Sequence, residues 1–244
     1  MSTIDDARVR FEACDDEATW IERSVAVIAA ALERALAAQG RARLLLSGGS
    51  TPVPVYRALA AAGLDWERID IGLVDERDVT ADDEGSNARL VRTSLVAALN
   101  EAGIAARFHA LRERAATLDD AVAAANIDAD VDPAAAVVVL GMGDDGHTAS
   151  LFPGSRDLER VLADPLPYAV LDADGCAGAG RHRHRLTLTR RGLDAAAARI
   201  LLLRGAAKRA VFDAARAAGP REQLPIRFAI DAPGPPLDVL WCRV

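Results

Sequence analysis

Apolar residues fall in short unbroken runs separated by longer stretches with helical spacing, and this rhythm recurs along most of the chain. Asp15, Asp16 and Glu17 make an acidic start, "SVAVIAAALERALAA" carries a helical period to Ala38, and Gly40 supplies a stop, which together predict a first helix. "RARLLLSGGSTPVPVYRALAAAG" reads as strand, glycine turn and helix, with Pro52 where a first helical turn tolerates proline. "IDIGLVDER" is a second apolar run ending in charge, and "SNARLVRTSLVAALNEAG" restarts a helix with Ser86 as its cap. A short "RFHAL", a helix around Leu118 to Ala129 and the strand "AAAVVVLG" repeat the unit. Beyond them "PYAVLDA", "RHRLTLT", "ARILLLRG" and "DVLWCRV" read as strands and "AAKRAVFDAARAAG" as a helix.

Strands written as continuous apolar runs, not as alternations, belong in a mostly parallel sheet covered by helices on both faces, so the fold class is α/β. No repeat, long linker or low-complexity tract divides the 244 residues. The chain is therefore expected to form one domain over residues 1–244, with a small lobe built on the segment after Phe152.

Composition narrows the function classes. A hydrophobic share of 51% with 27% charged residues argues for an ordinary globular protein and against disorder. The net charge of −7 argues against general nucleic-acid binding, though it leaves room for a local basic pocket. Glu33 and Arg34 break the first helix well short of the ~20 apolar residues of a membrane span. The acidic N-terminus lacks the basic start and apolar run of a secretory signal. Cys14, Cys176 and Cys242 are widely spaced and form no CxxC pair, which speaks against a disulfide framework or a zinc site and for a reducing cytoplasm.

In open α/β sheets ligands bind at the C-terminal ends of the strands. Three chemically loaded segments occupy that position: "SGGSTP", "DERDVTADDEGSN" and "GMGDDGHTAS". Gly48 and Gly49 let the backbone turn closely around a ligand, while Ser50, Thr51 and the neighbouring amides offer hydrogen bonds to an anion such as a phosphate; a plain turn is the alternative. The segment is neither GxGxxG nor GxxxxGK[ST], so dinucleotide and Walker-type ATP binding lose their usual support. Of Asp75, Glu76 and Arg77, at least one side chain should project over the sheet end; Arg77 is suited to hold a phosphate or steady an oxyanion, against a salt bridge or a loop cap.

Asp145 and His147 flank Gly146. A carboxylate beside an imidazole fixes its tautomer and raises its basicity, leaving the other ring nitrogen to take a proton from water, with a structural or merely exposed histidine as the alternative. Arg185, next to "LTLT", and Lys208, just inside a helix after Gly205, are candidates to converge on the same anion, with ordinary surface charge as the alternative. His182 and His184 alternate as on one strand face but lack a third ligand for a metal, so a solvated basic edge is the reading. No GxSxG elbow occurs, so acyl-enzyme chemistry has no support.

Taken together, "LLLSGGSTPVPVYRAL", "DIGLVDERDV" with "SNARLV", "VLGMGDDGHTASLFPGS", and "RLTLT" before "LLLRGAAKRAV" resemble the 6-phosphogluconolactonase family, in its order, from about Leu44 to Phe228. The resemblance implies a Rossmann-like α/β fold shared with glucosamine-6-phosphate deaminases. It also implies hydrolysis of 6-phosphoglucono-1,5-lactone to 6-phosphogluconate in the oxidative pentose phosphate pathway, with no metal or organic cofactor. Position by position it implies His147 as general base, Asp145 as its orienting partner and Arg77 as a substrate or transition-state contact. Gly48, Gly49, Ser50 and Thr51 with Arg185 and Lys208 then form the phosphate site, and Asp75 lies with them in the substrate pocket. The implied partner is a small sugar phosphate, with neither nucleic acid nor membrane, and the implied assembly is a monomer or small homo-oligomer.

The nearest rival within the resemblance is the deaminase, whose Asp-Gly-His turn is typically followed by Phe-Asn-Glu-Pro with a relay glutamate; here Phe152 of "SLFP" takes that place. Deaminases also tend to carry Asp-Glu-Tyr where this chain has Asp75, Glu76 and Arg77. A non-catalytic sugar-phosphate binder is the other alternative. The segment before "RLTLT" is often proline-rich in the family, whereas "GCAGAGRHRHR" stands here and leaves the aim of Arg185 open.

Overall fold

The structure, a computed structural model, describes residues 7–112, 115–131 and 136–243. Its strands are β1 (Val9–Cys14), β2 (Ala42–Leu46), β3 (Ile69–Leu73), β4 (Asp75–Arg77), β5 (Arg107–Phe108), β6 (Ala136–Leu140), β7 (Tyr168–Asp172), β8 (His184–Leu188), β9 (Ala198–Arg204) and β10 (Leu237–Cys242). Its α-helices are α1 (Glu17–Gln39), α2 (Val53–Leu59), α3 (Asn87–Val91), α4 (Ala97–Glu101), α5 (Leu118–Val131), α6 (Leu158–Ala163), α7 (Arg190–Asp194), α8 (Ala206–Arg216) and α9 (Ile226–Ile230). A π turn, Arg92–Val96, joins α3 to α4 as one continuous stretch. Ala134 and Ala135, the start of the predicted strand "AAAVVVLG", lie outside the described residues.

Seven strands pair in parallel in the order β1-β10-β9-β6-β2-β3-β5. The expected parallel α/β sheet is therefore present. From the central pair the chain winds outward in opposite directions: β2 is followed by β3 and β5 toward one edge, and β6 by β9 and β10 toward the other. Leu44 and Leu46 of β2 stand in register with Val137 and Val139 of β6. These four residues join Trp20, Tyr56, Leu95 and Ile200 in one core cluster, whereas Leu45, Val138, Leu140 and Leu201 join Phe152, Phe212 and Ile226 in another. Both faces of each central strand are thus buried, which is why these strands read as unbroken apolar runs. Each large aliphatic or aromatic side chain so buried contributes about 1.5–3 kcal/mol.

Capping follows the sequence closely. The Asp16 carboxylate accepts from Thr19 N–H at 2.7 Å, and Gly40, at φ 76°, ends α1 with its N–H on the Leu36 carbonyl at 2.8 Å. Ser86 caps α3 by accepting from Arg89 N–H at 3.1 Å.

Two elements differ from the sequence reading. The run "IDIGLVDER" is two strands, not one. Val74 still donates to Leu46 O in the main sheet (2.9 Å), but its carbonyl accepts from Leu188 N–H (2.8 Å), so the chain passes there into a three-stranded antiparallel sheet ordered β4-β8-β7. β7 and β8, from the segment after Phe152, thus share a small sheet with the Asp75–Arg77 segment. The stretch "VRFEAC", for which no strand is predicted, forms β1 beside β10. Its polar positions belong to a sheet edge: Glu12 pairs with Arg23 at 2.6 Å, and Arg10 with Asp238 at 3.3 Å. This pairing sets Cys14 opposite Cys242, and none of the three cysteines takes part in a disulfide.

No helix among the described residues is long and apolar enough to cross a membrane. Trp20 shows the cost of disturbing the α1 face. It is fully buried, and its Nε1 donates to Leu240 O at 3.0 Å. Trp20→Ala is expected to lower the unfolding free energy by about 3–5 kcal/mol, read as a shift of the urea midpoint without a change in slope.

Candidate active site

The loops after β2 and β6 emerge side by side, because the two strands are adjacent and parallel where the sheet order reverses. A cavity of about 260 Å³ opens over this point. Gly48, Gly49, Ser50, Thr51, Asp75, Arg77, His147, Arg185 and Lys208 all line it, so the structure brings together every predicted site residue except Asp145, which stands behind His147.

The imidazole is placed by a closed turn. After β6, Gly143 N–H donates to His147 O at 2.9 Å and Gly146 N–H to Gly143 O at 3.0 Å, with Gly146 at φ 78°. The turn folds Asp145 back onto His147: Oδ1 accepts from the His147 backbone N–H at 3.1 Å and meets Nδ1 at 2.5 Å. Burial works to raise the Asp145 carboxyl, but the hydrogen bonds and charge of His147 outweigh it and hold the carboxyl below the usual carboxylate range. A carboxylate only accepts, so Nδ1 carries a proton, and in the neutral ring the lone pair is then on Nε2. The Phe152 ring packs on the imidazole, with centroids 4.5 Å apart.

The glycine loop faces this pair. No acceptor for the backbone N–H groups of Gly48, Gly49, Ser50 or Thr51 is found among the described residues. Gly49 has φ 90°, a conformation that favours glycine. Lys208, in the first turn of α8, donates from Nζ to Met142 O, which holds its amine at the cavity.

The Asp75-Glu76-Arg77 triplet divides into three tasks. Asp75 Oδ2 accepts from Ser150 Oγ, and its Oδ1 and main-chain O accept from Asn87 Nδ2 at 3.0 and 2.8 Å. Glu76 is a buried cap: its carboxylate accepts from the N–H groups of Arg77, Asn87 and Ala88, each at 2.8 Å, and from Ser86 Oγ at 3.1 Å. Burial nevertheless leaves the Glu76 carboxyl raised above its ordinary range. Arg77 reaches the cavity, donating from Nη1 to Gly85 O and keeping Nε buried without a partner among the described residues.

Arg185 stands opposite Arg77 in the β4–β8 ladder. Its Nε donates to His182 O at 2.9 Å and its Nη2 to Ala179 O at 2.6 Å, so two donors hold the Gly-rich loop, while the guanidinium carbon lies 5.3 Å from the Phe152 centroid. Burial, opposed by Asp75 and reinforced by Arg77, pulls Arg185 down to about 10. His182 and His184 do not alternate along a strand: β8 begins at His184, and the Gly85 Cα is so close to the His182 ring that a Cβ there would lie 2.4 Å from Nε2. Among the described residues, no group of three His, Cys, Asp or Glu is placed to hold a metal ion.

Residues that the sequence reading did not single out also line the cavity. Ser47 Oγ and Asn87 Oδ1 are buried there without partners among the described residues, as is Arg77 Nε; unpaired buried polar atoms gathered at one cavity point to a ligand. Asn87 belongs to "SNARLV", whose position after a cap signalled only a helix start.

The family model described as glucosamine-6-phosphate isomerases/6-phosphogluconolactonase matches residues 15–240. The chain belongs to this family. It is 45% identical over 242 residues to a 6-phosphogluconolactonase of Xylella fastidiosa, an alignment covering 99% of this chain and 100% of that protein. The structure is similar to that of a 6-phosphogluconolactonase from Shewanella baltica, with a TM-score of 0.86 and 31% identity over 96% of this chain and 97% of that one. A monomeric glucosamine-6-phosphate deaminase, 17% identical, shares the fold with a TM-score of 0.75 over 96% of this chain and 97% of its own.

Within this family site, Gly48 is constrained by space: a Cβ there would lie 1.8 Å from Asn87 Oδ1. Gly48→Ala is expected to push Asn87 off Asp75 and weaken calorimetric binding of 6-phosphogluconate by about tenfold or more, roughly 1.4 kcal/mol. An unchanged dissociation constant in a folded variant would remove the loop from the ligand site.

Proposed function

We propose that this protein hydrolyses 6-phospho-D-glucono-1,5-lactone to 6-phospho-D-gluconate by general-base activation of water. The observation that carries the reading is the Asp145–His147 contact at 2.5 Å on the same cavity as the Gly48–Thr51 amides and the cations Arg77, Arg185 and Lys208. The phosphate sits against the glycine loop and Lys208, with Arg185 adding positive charge, and the sugar ring spans toward His147. His147 Nε2 takes a proton from water as its oxygen bonds to the lactone carbonyl carbon, and Arg77 stabilises the oxyanion. The bond from that carbon to the ring oxygen then breaks, and His147 returns the proton to the departing oxygen. This chemistry uses only side chains, backbone amides and water.

Phe152 on the imidazole favours the lactonase over a deaminase, because a phenyl ring neither accepts nor donates the proton that amine loss requires. The intact Asp145–His147 pair favours an enzyme over a sugar-phosphate binder. Three cysteines without a disulfide fit a reducing cytoplasm.

The decisive assay offers the purified protein 6-phosphogluconolactone and glucosamine 6-phosphate in parallel. Acid release above the spontaneous rate identifies the lactonase, ammonia the deaminase, and binding without either product the binder. His147→Ala is expected to lower kcat about 10²–10⁴-fold while 6-phosphogluconate still binds. Near wild-type turnover in a folded variant would sink the assignment. Lys208→Ala should raise KM by about tenfold or more through loss of a charge-assisted hydrogen bond, with a smaller effect on kcat. On the acid side, kcat/KM should fall about tenfold per pH unit, the slope of one titration. The sign is that of a general base, which is disabled when the atom that takes the proton is already protonated; the Asp145 carboxyl, held low, keeps its charge until more acid pH.

A further inference from the structure

Two glycines from separate parts of the chain press on the Asp145–His147 contact. Gly143 belongs to the turn itself, and a Cβ there would stand 2.2 Å from both Nδ1 and Cε1 of His147. Gly178 comes from the Gly-rich loop between β7 and β8, in the 3₁₀ turn Ala177–Ala179. A Cβ on Gly178 would stand 2.5 Å from Asp145 Oδ2 and 2.6 Å from His147 Nδ1. The φ of Gly178 is not among the positive ones, so its backbone path admits any residue; space alone demands glycine.

The two Asp145 oxygens are used unequally. Oδ1 takes both hydrogen-bonding contacts from His147, whereas Oδ2 is buried with no partner among the described residues. We propose that Gly178 is a positioning residue: its bare backbone closes on the carboxylate, keeps water from Oδ2 and leaves His147 as the sole partner of Asp145. A carboxylate hydrated on one oxygen spreads its charge into solvent. Sealed on that side, it directs its full acceptor strength to the imidazole Nδ1–H, fixing the ring and strengthening its pull on a proton.

The loop is held in place for this task. Arg185 clamps it at Ala179 O and His182 O, on either side of Gly180, and the Ala179 and Cys176 N–H groups bond back to Cys176 O and Ala173 O, both at 3.1 Å. The charged and titratable groups facing the pair are Cys176 of the same loop, Arg185 of β8, Lys208 of α8 and, across the cavity, Asp75 and Arg77 of β4. The Cys176 thiol is pushed up by burial and by Asp145, so it remains neutral on the acid side.

This inference rests on the lactonase reading, and the test separates the two. Wild-type protein and Gly178→Ala are compared in kcat and KM on 6-phosphogluconolactone, corrected for spontaneous hydrolysis, across pH. The His147 Nδ1–H resonance is followed in both by proton NMR. The expected result is a fall in kcat of about tenfold to a hundredfold with little change in KM. The acid limb should move to lower pH, because the imidazolium loses carboxylate support. In the wild type the Nδ1–H signal should be downfield and slow to exchange with water, and in the variant it should move upfield and exchange faster. A folded Gly178→Ala with unchanged kcat and pH profile overturns the proposal. So does a wild-type Nδ1–H that exchanges freely, which decides the matter even if the variant fails to fold. Wild-type protein that leaves the lactone untouched refutes the lactonase reading instead, and the NMR comparison still tests the seal.

Discussion

The parallel pairing of β2 with β6 is the constraint on which the site depends. Neighbouring parallel strands release their C-terminal ends at one level, and the strands that follow each of them are laid down toward opposite edges, the point at which open α/β sheets bind ligands. Ser47 N–H continues the ladder to Val139 O at 3.1 Å, so the glycine loop and the Gly141 turn start as neighbours. Leu44, Leu46, Val137 and Val139 hold that register, since a slip of one residue would move each of them to the opposite face of the sheet. The chemistry above the sheet is therefore anchored by apolar packing within it.

The small antiparallel sheet supplies what the large one cannot. A parallel strand end delivers loops to one side of the crevice, whereas β4 turns away at Val74 and carries its charged residues over the top. Glu76 makes that path rigid. Three backbone N–H groups and a hydroxyl converge on its carboxylate, tying the start of α3 to β4. The Asn87 amide is thereby fixed against Asp75, which in turn receives Ser150 from the segment after the Asp145–His147 turn. Removing the Glu76 carboxylate would leave several buried donors unsatisfied, each costing about 1–3 kcal/mol.

Legibility in the sequence follows the range of the interaction. Strands buried on both faces were readable as runs, and the Asp145–His147 pair was readable because its geometry closes within one turn. β1 was not, since its pairing partner β10 lies at the other end of the chain and its polar positions suit only an edge. The break at Val74 was hidden for the same reason: the bonds that divide "IDIGLVDER" come from Leu46 and Leu188, not from any neighbour in sequence. Gly178, Asn87 and Ser150 carried no local signal, because each is defined by a contact with a distant segment.

The electrostatics of the cavity explain why an aromatic ring at position 152 matters beyond its contact with His147. Arg77 and Arg185 are cross-strand neighbours, and Arg185 is so desolvated that burial, with Arg77 adding and Asp75 opposing, draws it down to about 10. Holding these desolvated cations together costs free energy that a bound anion would recover, which favours an anionic ligand over water. The Phe152 ring touches both Arg185 and His147, offering the guanidinium a π surface without adding charge. A glutamate there would pair with Arg185, cancel part of the positive field in the cavity, and set a second carboxylate beside the imidazole. One uncharged side chain thus leaves the positive field of the cavity undiminished and Asp145 as the carboxylate against the imidazole.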